Sequence, residues 1–466
     1  MTASQNTVPI LISSYKNKIK KLFNHVSGRT SSKIEREIVF TQSKISELET
    51  KLNIIEKLTR DELYILEEER SYLSSEYILN ALPKSKKKRI LICGYYGARN
   101  CGDELMLQAI LKNINTNKYD VTILLASNHN LDASYYYPYH VLHYPKKVED
   151  CKFLAENYDA IVWGGGAVLD DTCYEYRGIH NDLAYILFTI SLLMLQMKKD
   201  VYVLGVSANK TLQNKEAIKD LRFIVENATY FSLRDTNSRN TLKKAGIPTS
   251  NINIIDDLVL SLDFPVDPKK NYNNDIICIG VVLMSDRRDN PDTNTLIKNI
   301  ITAGVDYYKN QKIHLELISF FDQYNFDYEM YDNALKNIDH ELIKNVVLSI
   351  RKQDYSVSTI SKVFSKCDIV ISMRYHATLI AGGILNKRVL SINQGNTHRH
   401  YYNKQKYIKD KYINNLIEIS YEDALNYKNF RKRLEKTAKT KPKGISRMEK
   451  NKIKGNIIAV IKKYLG

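Results

Sequence analysis

The segment RILICGYYGARNCGDELMLQAILKNI, residues 89–114, passes from a short apolar run through a glycine-rich turn into a helical pattern. The run Arg89–Gly94 is typical of a strand buried in a parallel sheet. Residues 103–114 have the character of a helix. Between the two, three glycines in nine residues let the backbone turn sharply and come close to a ligand. The segment therefore predicts a strand–turn–helix unit of an α/β fold.

The same alternation of strands and helices recurs in two stretches of the chain. The strand-like runs of the first stretch are Val121–Leu125, Ala160–Trp163, Val201–Val206 and Tyr230–Leu233. Those of the second are Ile276–Leu283, His314–Ser319, Val346–Leu348, Ile369–Ser372 and Val389–Ile392. Between them FPVDPKKNYNN, residues 264–274, is typical of a linker. The predicted fold is α/β, with Rossmann-like domains at 88–265 and 275–425 in a GT-B-like arrangement around a cleft.

Both ends of the chain depart from this pattern. Residues 1–33 are a basic segment, and residues 428–466 are predicted to be a basic helical tail. Residues 34–82 are predicted to be a helical or coiled-coil extension. Its heptad-like apolar positions are Ile38, Ile45, Leu48, Leu52 and Ile55. The extension would either join two copies in a homo-oligomer or pack on its own chain, and both interpretations stay open.

The positive charge of the chain is concentrated at its two ends. The net charge is +17. Lys428–Gly466 holds 14 Lys or Arg against 2 acids, and the first 33 residues hold six basic residues and no acid. The middle is thus close to neutral, and no nucleic-acid partner is predicted. The basic ends favour either peripheral contact with an anionic membrane or plain solvated helices.

Cysteine spacing and apolar runs indicate the compartment. The six cysteines form no C-x-x-C pair, and no histidine lies near them at zinc-finger spacing, so no metal site is predicted. Scattered cysteines fit a reducing, cytoplasmic location. The longest apolar run, Leu183–Met197, is shorter than the roughly 20 residues of a membrane span and predicts a buried helix.

The first glycine-rich turn is a candidate ligand site. Gly97, Asn100, Gly102 and Asp103 lie where a strand ends and a helix begins, so backbone amides would face a ligand there. Asp103 either acts in the reaction or caps the helix. Cys101 is either a catalytic thiol or a small residue in a tight turn.

A second glycine-rich turn, WGGGAVLDD at residues 163–171, follows another apolar strand. Gly165 and Gly166 leave backbone exposed where no side chain fits, and Asp170 follows them. In a parallel sheet this edge lines the ligand crevice. The alternative is a tight turn without a ligand.

Two further strand ends carry basic residues. Arg234, after the strand that ends at Leu233, could hold a carboxylate or phosphate through its planar fork, or could pair with Asp235 or Asp256. Arg374 and His376 follow the strand that ends at Ser372. Arginine supplies a fixed charge there, and histidine supplies a proton near neutral pH.

These motifs together resemble the polysaccharide pyruvyltransferase family. The resemblance rests on GYYGARNCGDE, WGGGAVLDD, FSLRDTNS and SMRYHATLIAGGILNKRVLSI, and runs from about residue 89 to 405. It implies a GT-B-like fold, phosphoenolpyruvate as the donor substrate without a further cofactor, and a product in which pyruvate forms a ketal across two sugar hydroxyls. By resemblance, Arg374 and His376 bind the donor and Arg234 is a second anion clamp.

The expected mechanism assigns a role to each candidate residue. His376 is the general acid or orients the phosphate, Asp103 or Asp170 is the base, and Ser372 and the glycine-rich turns contact the substrates. The acceptor is expected to be a sugar of a cell-surface glycan or of its lipid-linked precursor. Two alternatives stay open: a GT-B-type glycosyltransferase that uses a nucleotide sugar, and a membrane-docked scaffold without catalysis.

Overall fold

The computed structural model describes part of the chain. The described residues are 82, 86–126, 136–145, 148–171, 183–209, 211–265, 276–284, 291–309, 311–321, 326–344, 346–351, 355–393 and 404–466. The chain divides into two compact units, Met1–Leu82 and Pro83–Gly466. The predicted basic segment 1–33 and, Leu82 apart, the extension 34–82 lie outside the described residues. All the described helices and strands belong to the second unit.

The first half of this unit is built around one seven-stranded parallel sheet. Its strands are β1 (Lys88–Cys93), β2 (Tyr119–Leu125), β3 (His140–His143), β4 (Ala160–Gly164), β5 (Asp200–Val206), β6 (Tyr230–Leu233) and β7 (Asn253–Ile254). Its helices are α1 (Cys101–Leu111), α2 (Val148–Asn157), α3 (Leu183–Gln196), α4 (Lys215–Asn227) and α5 (Thr236–Lys244), followed by a 3₁₀ turn at Leu258–Ser261. The strand order is β3-β2-β1-β4-β5-β6-β7.

The second half repeats this plan with six parallel strands. They are β8 (Ile276–Val282), β9 (Lys312–Ile318), β10 (Val346–Arg351), β11 (Ile369–Ser372), β12 (Arg388–Asn393) and β13 (Ile417–Ser420), in the order β10-β9-β8-β11-β12-β13. The helices are α6 (Pro291–Tyr307), α7 (Phe326–Lys336), α8 (His340–Ile343), α9 (Val357–Lys366), α10 (Tyr375–Thr378) with a π-helical continuation Leu379–Ile384, α11 (Lys404–Lys411), α12 (Tyr421–Leu425), α13 (Tyr427–Lys439) and α14 (Arg447–Leu465).

Both sheets have the strand order of a doubly wound Rossmann fold, as predicted. In such sheets the order reverses at one point, and ligands bind beyond the carboxyl ends of the strands there. The reversal lies between β1 and β4 in the first sheet and between β8 and β11 in the second. The two glycine-rich turns follow β1 and β4, and the Arg374–His376 turn follows β11. The topology alone thus brings the predicted motifs to the two ligand-binding edges.

The C-terminal helices join the two halves. Helix α13 packs on α6 and on the strands β12 and β13 of the second half. Helix α14 returns to the first half, where the amide of Asn115 donates to the carbonyl of Leu465 at 2.9 Å and the rings of Tyr464 and Tyr230 pack with centroids 4.4 Å apart. The buried face of α14 consists of Ile453, Ile457, Ile461 and Leu465. One apolar core therefore continues from the first sheet across to the second half.

The apolar run Leu183–Met197 forms the predicted buried helix. Its residues 183–196 are α3, which packs on α2, α4 and the sheet. Within the described residues, no helix combines the length and the apolar character needed to cross a membrane. The strands β3, β7 and β13 did not appear among the predicted strand-like runs, because they are short. Strand β7 has two residues, and β3 and β13 have four residues each. Strand β3 is also exposed at both of its ends.

Candidate active site

The ligand-binding edges of the two sheets meet at the start of α1. Asn100 forms an antiparallel bridge with Phe321, which lies just beyond β9. The amide of Cys101 donates to the carbonyl of Phe320 at 2.9 Å. These backbone contacts fix the first glycine-rich turn against the second half, so the candidate residues of both halves face one shared site.

His376 lies against the first turn of α1. It belongs to the short helix α10 after β11, and its ring occupies the space that a side chain at Gly102 would need. A Cβ atom built on Gly102 overlaps Nδ1 of His376. The glycine thus allows the imidazole to rest directly on the backbone of α1.

We expect Gly102→Ala to displace His376 and to lower turnover about 100-fold, since a shift of about 1 Å at a reacting group can cost that much. Alanine favours helices over glycine, so weaker helix formation would not explain the loss. Steady-state kinetics and thermal unfolding of the variant test this. Gly455→Ala in α14 is the control, because apart from its chain neighbours and the backbone of its own helix nothing lies within 4 Å of a Cβ there. It should keep turnover, and normal turnover in Gly102→Ala would contradict the prediction.

A buried aspartate, Asp257, links His376 to Arg234. Oδ2 of Asp257 lies 3.4 Å from Nε2 of His376 and 3.1 Å from Nη1 of Arg234. Its Oδ1 accepts from the amide of Val259 at 3.1 Å and so begins the 3₁₀ turn. Burial would raise the pKa of Asp257, but His376 and Arg234 hold it well below the usual range of an aspartate.

Arg234 is buried at the end of β6, where it also lies over the ring of Tyr375, 4.6 Å from the centroid. The ion pair predicted as the alternative for this residue exists, but its partner is Asp257. Asp235 caps α5 instead, through the amide of Ser238. This difference arises because the chain after β7 turns Asp257 inward.

Asp256, the other partner considered for Arg234, pairs instead with residues at the C-terminal end of α11. It accepts from Nζ of Lys411 at 2.6 Å and from the hydroxyl of Tyr412 at 2.5 Å. It therefore ties the first half to α11 and its C-terminal end. A second tie to α11 runs from the hydroxyl of Tyr407 to the carbonyl of Arg234, at 2.9 Å.

Arg374 is held by a carboxylate of its own. Its Nη2 donates to Oδ1 of Asp327 at 2.6 Å, and its Nε donates to the carbonyl of Leu283, at the end of β8, at 3.2 Å. Oδ2 of Asp327 accepts from the amides of Phe320 and Phe321. Burial raises the pKa of Asp327, although Arg374 and the two amides act in the opposite direction. The guanidinium is therefore fixed at the point where the strand order of the second sheet reverses.

Ser372 shapes the turn that carries Arg374. Its hydroxyl donates to the carbonyl of Arg374 at 3.0 Å and accepts from the amide of the same residue at 3.1 Å. The side chain is fully buried. The structure thus places Ser372 beneath the arginine, with its hydroxyl bonded to the backbone.

The glycine-rich turns adopt the backbone conformations that glycine favours. Gly97, Gly165 and Gly166 have φ angles of 80°, 81° and 82°, in the left-handed region. Asp103 lies beside the second turn, since its Oδ1 is 3.3 Å from the position of a Cβ on Gly166. Asn100, whose side chain accepts from the amide of Gly102, caps α1. The interpretation of Asp103 as the cap was therefore wrong, and Asp103 lies between the two turns.

The end of the second turn runs beside the residues that follow β5. Leu169 bridges Ala208, and the amide of Ser207 donates to the carbonyl of Gly166 at 2.8 Å. Asp170 is half-buried at this end. Its neighbour Asp171 is buried and accepts from the amides at 213 and 214, ahead of α4. The structure thus brings Asp103, Arg234, Arg374 and His376 around one site, and places Asp170 further along the turn.

Two other positions bear on what the site can bind. Cys101 is fully buried as the first residue of α1, which fits a small residue in a tight turn. Among the residues that the structure describes, no three His, Cys, Asp or Glu side chains are grouped to hold a metal ion. The groups that can bind a ligand here are the arginines, the histidine and the backbone of the turns.

Glu104, the last residue of the motif GYYGARNCGDE and not one of the predicted site residues, is buried beneath the first turn. Its Oε1 accepts from the amide of Gly97 at 2.7 Å, and its Oε2 accepts from the hydroxyl of Tyr136 at 3.1 Å. Burial raises the pKa of Glu104 to about 8, against the opposing effect of these two hydrogen bonds. The carboxyl thus braces the ligand-facing turn from behind.

Glu104→Gln should stabilise the protein at alkaline pH and change its stability little near pH 5. The unfolded chain releases this proton near 4.5 and the folded chain near 8. Between these values the folded state binds more protons, so stability falls as pH rises. Glutamine imitates the neutral acid and should add on the order of 1–3 kcal/mol above pH 8. Chemical denaturation at pH 5 and pH 8.5 tests this, and an equal gain at both pH values would contradict it.

The order of motifs in this site is that of a known family. The family model of polysaccharide pyruvyl transferase matches residues 100–396, well over half of the chain, and includes Arg234, Arg374 and His376. The chain belongs to this family. The polysaccharide pyruvyl transferase family is a family of transferases, and its match confirms the resemblance of the motifs. None of the curated proteins compared with the chain matches it.

Solved structures resemble the chain in fold. UDP-GlcNAc 2-epimerase from Methanocaldococcus jannaschii has a TM-score of 0.50 and 13% sequence identity, over 81% of this chain and 99% of that one. MurG from Acinetobacter baumannii has a TM-score of 0.45 and 10% identity, over 81% of this chain and 100% of that one. At this identity the first likeness shows the fold alone. That fold is the predicted GT-B arrangement of two Rossmann-like domains.

Proposed function

We propose that this family member transfers the pyruvyl group of phosphoenolpyruvate to two hydroxyls of one sugar, forming a pyruvate ketal on a cell-surface glycan or its lipid-linked precursor. The observation that carries the proposal is the cluster of Arg234, Arg374 and His376 where the ligand-binding edges of the two sheets meet. Phosphoenolpyruvate is the donor substrate, and the proposed reaction uses no further cofactor.

The two arginines suit a donor with two anionic groups. Phosphoenolpyruvate carries a carboxylate and a phosphate, and guanidinium groups bind both through parallel N–H donors. Arg234 uses one nitrogen for Asp257, and Arg374 uses two for Asp327 and the carbonyl of Leu283. Each guanidinium has five N–H donors, so each keeps others for a ligand. The aspartates orient the two guanidinium groups before the donor arrives.

The reaction needs a proton donor and a base. His376 gives a proton to C3 of the enol, which makes C2 electron-poor, and the first sugar hydroxyl adds to C2 while its proton passes to Asp103. The bond from C2 to the phosphate oxygen then breaks, and the second hydroxyl closes the ketal. The proton held by Asp103 leaves with inorganic phosphate, and the proton of the second hydroxyl restores His376, so both groups return to their starting state. Each proton transfer by a positioned group contributes roughly 10²–10⁴-fold.

A lipid-linked acceptor would place the protein at the cytoplasmic face of a membrane. Helix α13 supports such peripheral contact, because Lys428, Lys432, Lys436 and Lys439 are exposed and recur at helical spacing. Phe430 is buried beneath them. Lysines next to an anionic surface contribute about 1 kcal/mol each. Self-association through residues 34–82 stays a prediction outside the described residues.

The test is acceptor-dependent release of phosphate from phosphoenolpyruvate by the full-length protein, with free and lipid-linked glycans as acceptors. The proposal expects inorganic phosphate and a glycan whose mass has increased by one pyruvate ketal. The same acceptors with UDP-sugars in place of phosphoenolpyruvate are the comparison. Transfer from a UDP-sugar alone would favour a nucleotide-sugar glycosyltransferase. Absence of both transfer and phosphoenolpyruvate binding would overturn the proposal.

A further inference from the structure

We propose that Asp257 is the positioning residue of this site, because its one buried carboxylate holds both Arg234 and His376, orients the imidazole and places a negative charge beside it. The inference rests on the proposed function for the reaction that the ring serves. It extends the set of functional residues to a position that none of the four motifs contains.

The carboxylate of Asp257 is fixed from three directions. Its side chain is completely buried, and Oδ1 accepts from the amide of Val259 in the 3₁₀ turn that it begins. Oδ2 is the atom that faces both Arg234 and His376. A carboxylate fixed by its own backbone turn cannot follow the ring, so the ring must adapt to the carboxylate.

This arrangement fixes the orientation of the His376 ring. Nε2 is buried, has no hydrogen bond of good geometry among the described residues, and has Asp257 as its ionic neighbour at 3.4 Å. The side chain as a whole is 13% exposed, so the accessible part of the ring lies away from Nε2. Nδ1 packs on the backbone at Gly102, so both ring nitrogens are held and the imidazole is fixed in one orientation.

The charges around His376 explain why it needs this carboxylate. The guanidinium of Arg234 and the positive N-terminal end of α1 at Gly102 both bring positive charge close to the ring. Tyr375, whose ring meets His376 edge-on at 5.0 Å, brings no charge at neutral pH. Asp103 lies in the same turn as Gly102 and faces the second glycine-rich turn. Asp257 is thus the buried anion that offsets Arg234 beside the imidazole.

The test compares the protonation of His376 in the wild type and in Asp257→Asn, by NMR of ¹⁵N-histidine in the full-length protein. The chain has 10 histidines, and His376→Gln assigns the resonance. Asparagine keeps an oxygen for the amide of Val259 and removes the charge. The pH midpoint of His376 protonation should fall by about one unit, since a carboxylate at this distance favours the charged ring by that order.

The matched control is Asp327→Asn, which removes a buried carboxylate from the same site but from Arg374. It should leave the His376 midpoint within about 0.3 unit of the wild type, because its charge contacts a different cation. An unchanged midpoint in Asp257→Asn would overturn the inference. So would equal shifts in both variants, because Asp257 would then have no special relation to the ring.

A second pair of variants keeps the test decisive if Asp257→Asn does not fold. The double variant Arg234→Gln/Asp257→Asn replaces the ion pair with two neutral amides. It is compared with the single variant Arg234→Gln. The double variant should show the lower His376 midpoint, and equal midpoints would reject the inference. The titration uses no donor, so its outcome is separate from that of the transfer assay. Transfer without a shifted midpoint would leave the proposed function standing and remove Asp257 from it.

Discussion

Arg374→Ala should lower kcat/KM for phosphoenolpyruvate by about 10²–10³-fold. The arginine is fixed at the carboxyl edge of the second sheet by Asp327 and the carbonyl of Leu283, so its charge is already placed when the donor arrives. Removing one preorganised donor to a developing charge costs about this much in other enzymes. Since the site is buried on most sides, water replaces the lost interaction poorly.

The loss should be shared between binding and turnover. Arg374 would hold the donor in the ground state and during departure of the phosphate, so KM should rise and kcat should fall. Lysine at this position keeps a charge but loses the planar fork. The kcat/KM of Arg374→Lys should therefore lie between that of Arg374→Ala and that of the wild type. Initial rates over a range of phosphoenolpyruvate concentrations measure both constants.

Arg388→Ala is the matched control for this arginine. Arg388 is half-buried at the start of β12, the neighbour of β11, where its Nε donates to the carbonyl of Thr440 at 3.1 Å. The variant loses one arginine from the same sheet at the edge opposite the site, and should keep its kcat/KM. If Arg374→Ala were as active as Arg388→Ala, the donor assignment of Arg374 would fail.

The strand ends that carry the motifs could be predicted from the sequence because they are local signals. A short apolar run followed by glycines predicts a strand and a turn by itself, and parallel sheets place all such turns at one edge. The positions of Gly97, Gly166 and Arg374 follow from that rule. The Arg374–His376 pair also lies in one turn, so its common orientation needs no knowledge of distant contacts.

The carboxylates that hold the two arginines could not be predicted in this way. Asp327 lies in the first turn of α7, an ordinary helix, and it meets Arg374 only because β8, β9 and β11 bring their ends together. Asp257 lies shortly after β7, a strand of only two residues. It directly follows Asp256 in the chain. Which of two adjacent aspartates turns inward depends on the 3₁₀ turn after them. Such contacts are set by tertiary packing, which spacing along the chain does not report.

His376→Gln should lower kcat by roughly 10²–10⁴-fold, the usual contribution of a positioned general acid. Glutamine has a similar reach and can donate a hydrogen bond, but it cannot supply a proton at neutral pH. Donor binding should change much less than turnover, because Arg234 and Arg374 remain.

His314→Gln is the control that separates proton donation from a general effect of losing a histidine. His314 lies on β9 in the same half, with its Nε2 2.8 Å from the hydroxyl of Ser349 and 3.3 Å from Glu316. It faces the outer strand pair of the sheet, so its loss should leave kcat and the pH profile unchanged. A raised KM with normal kcat in His376→Gln would assign the imidazole to orienting the phosphate. Since an enol needs a proton at carbon before any hydroxyl can add at C2, that result would require the acid to be sought among the other groups at this edge, with Asp103 the first candidate.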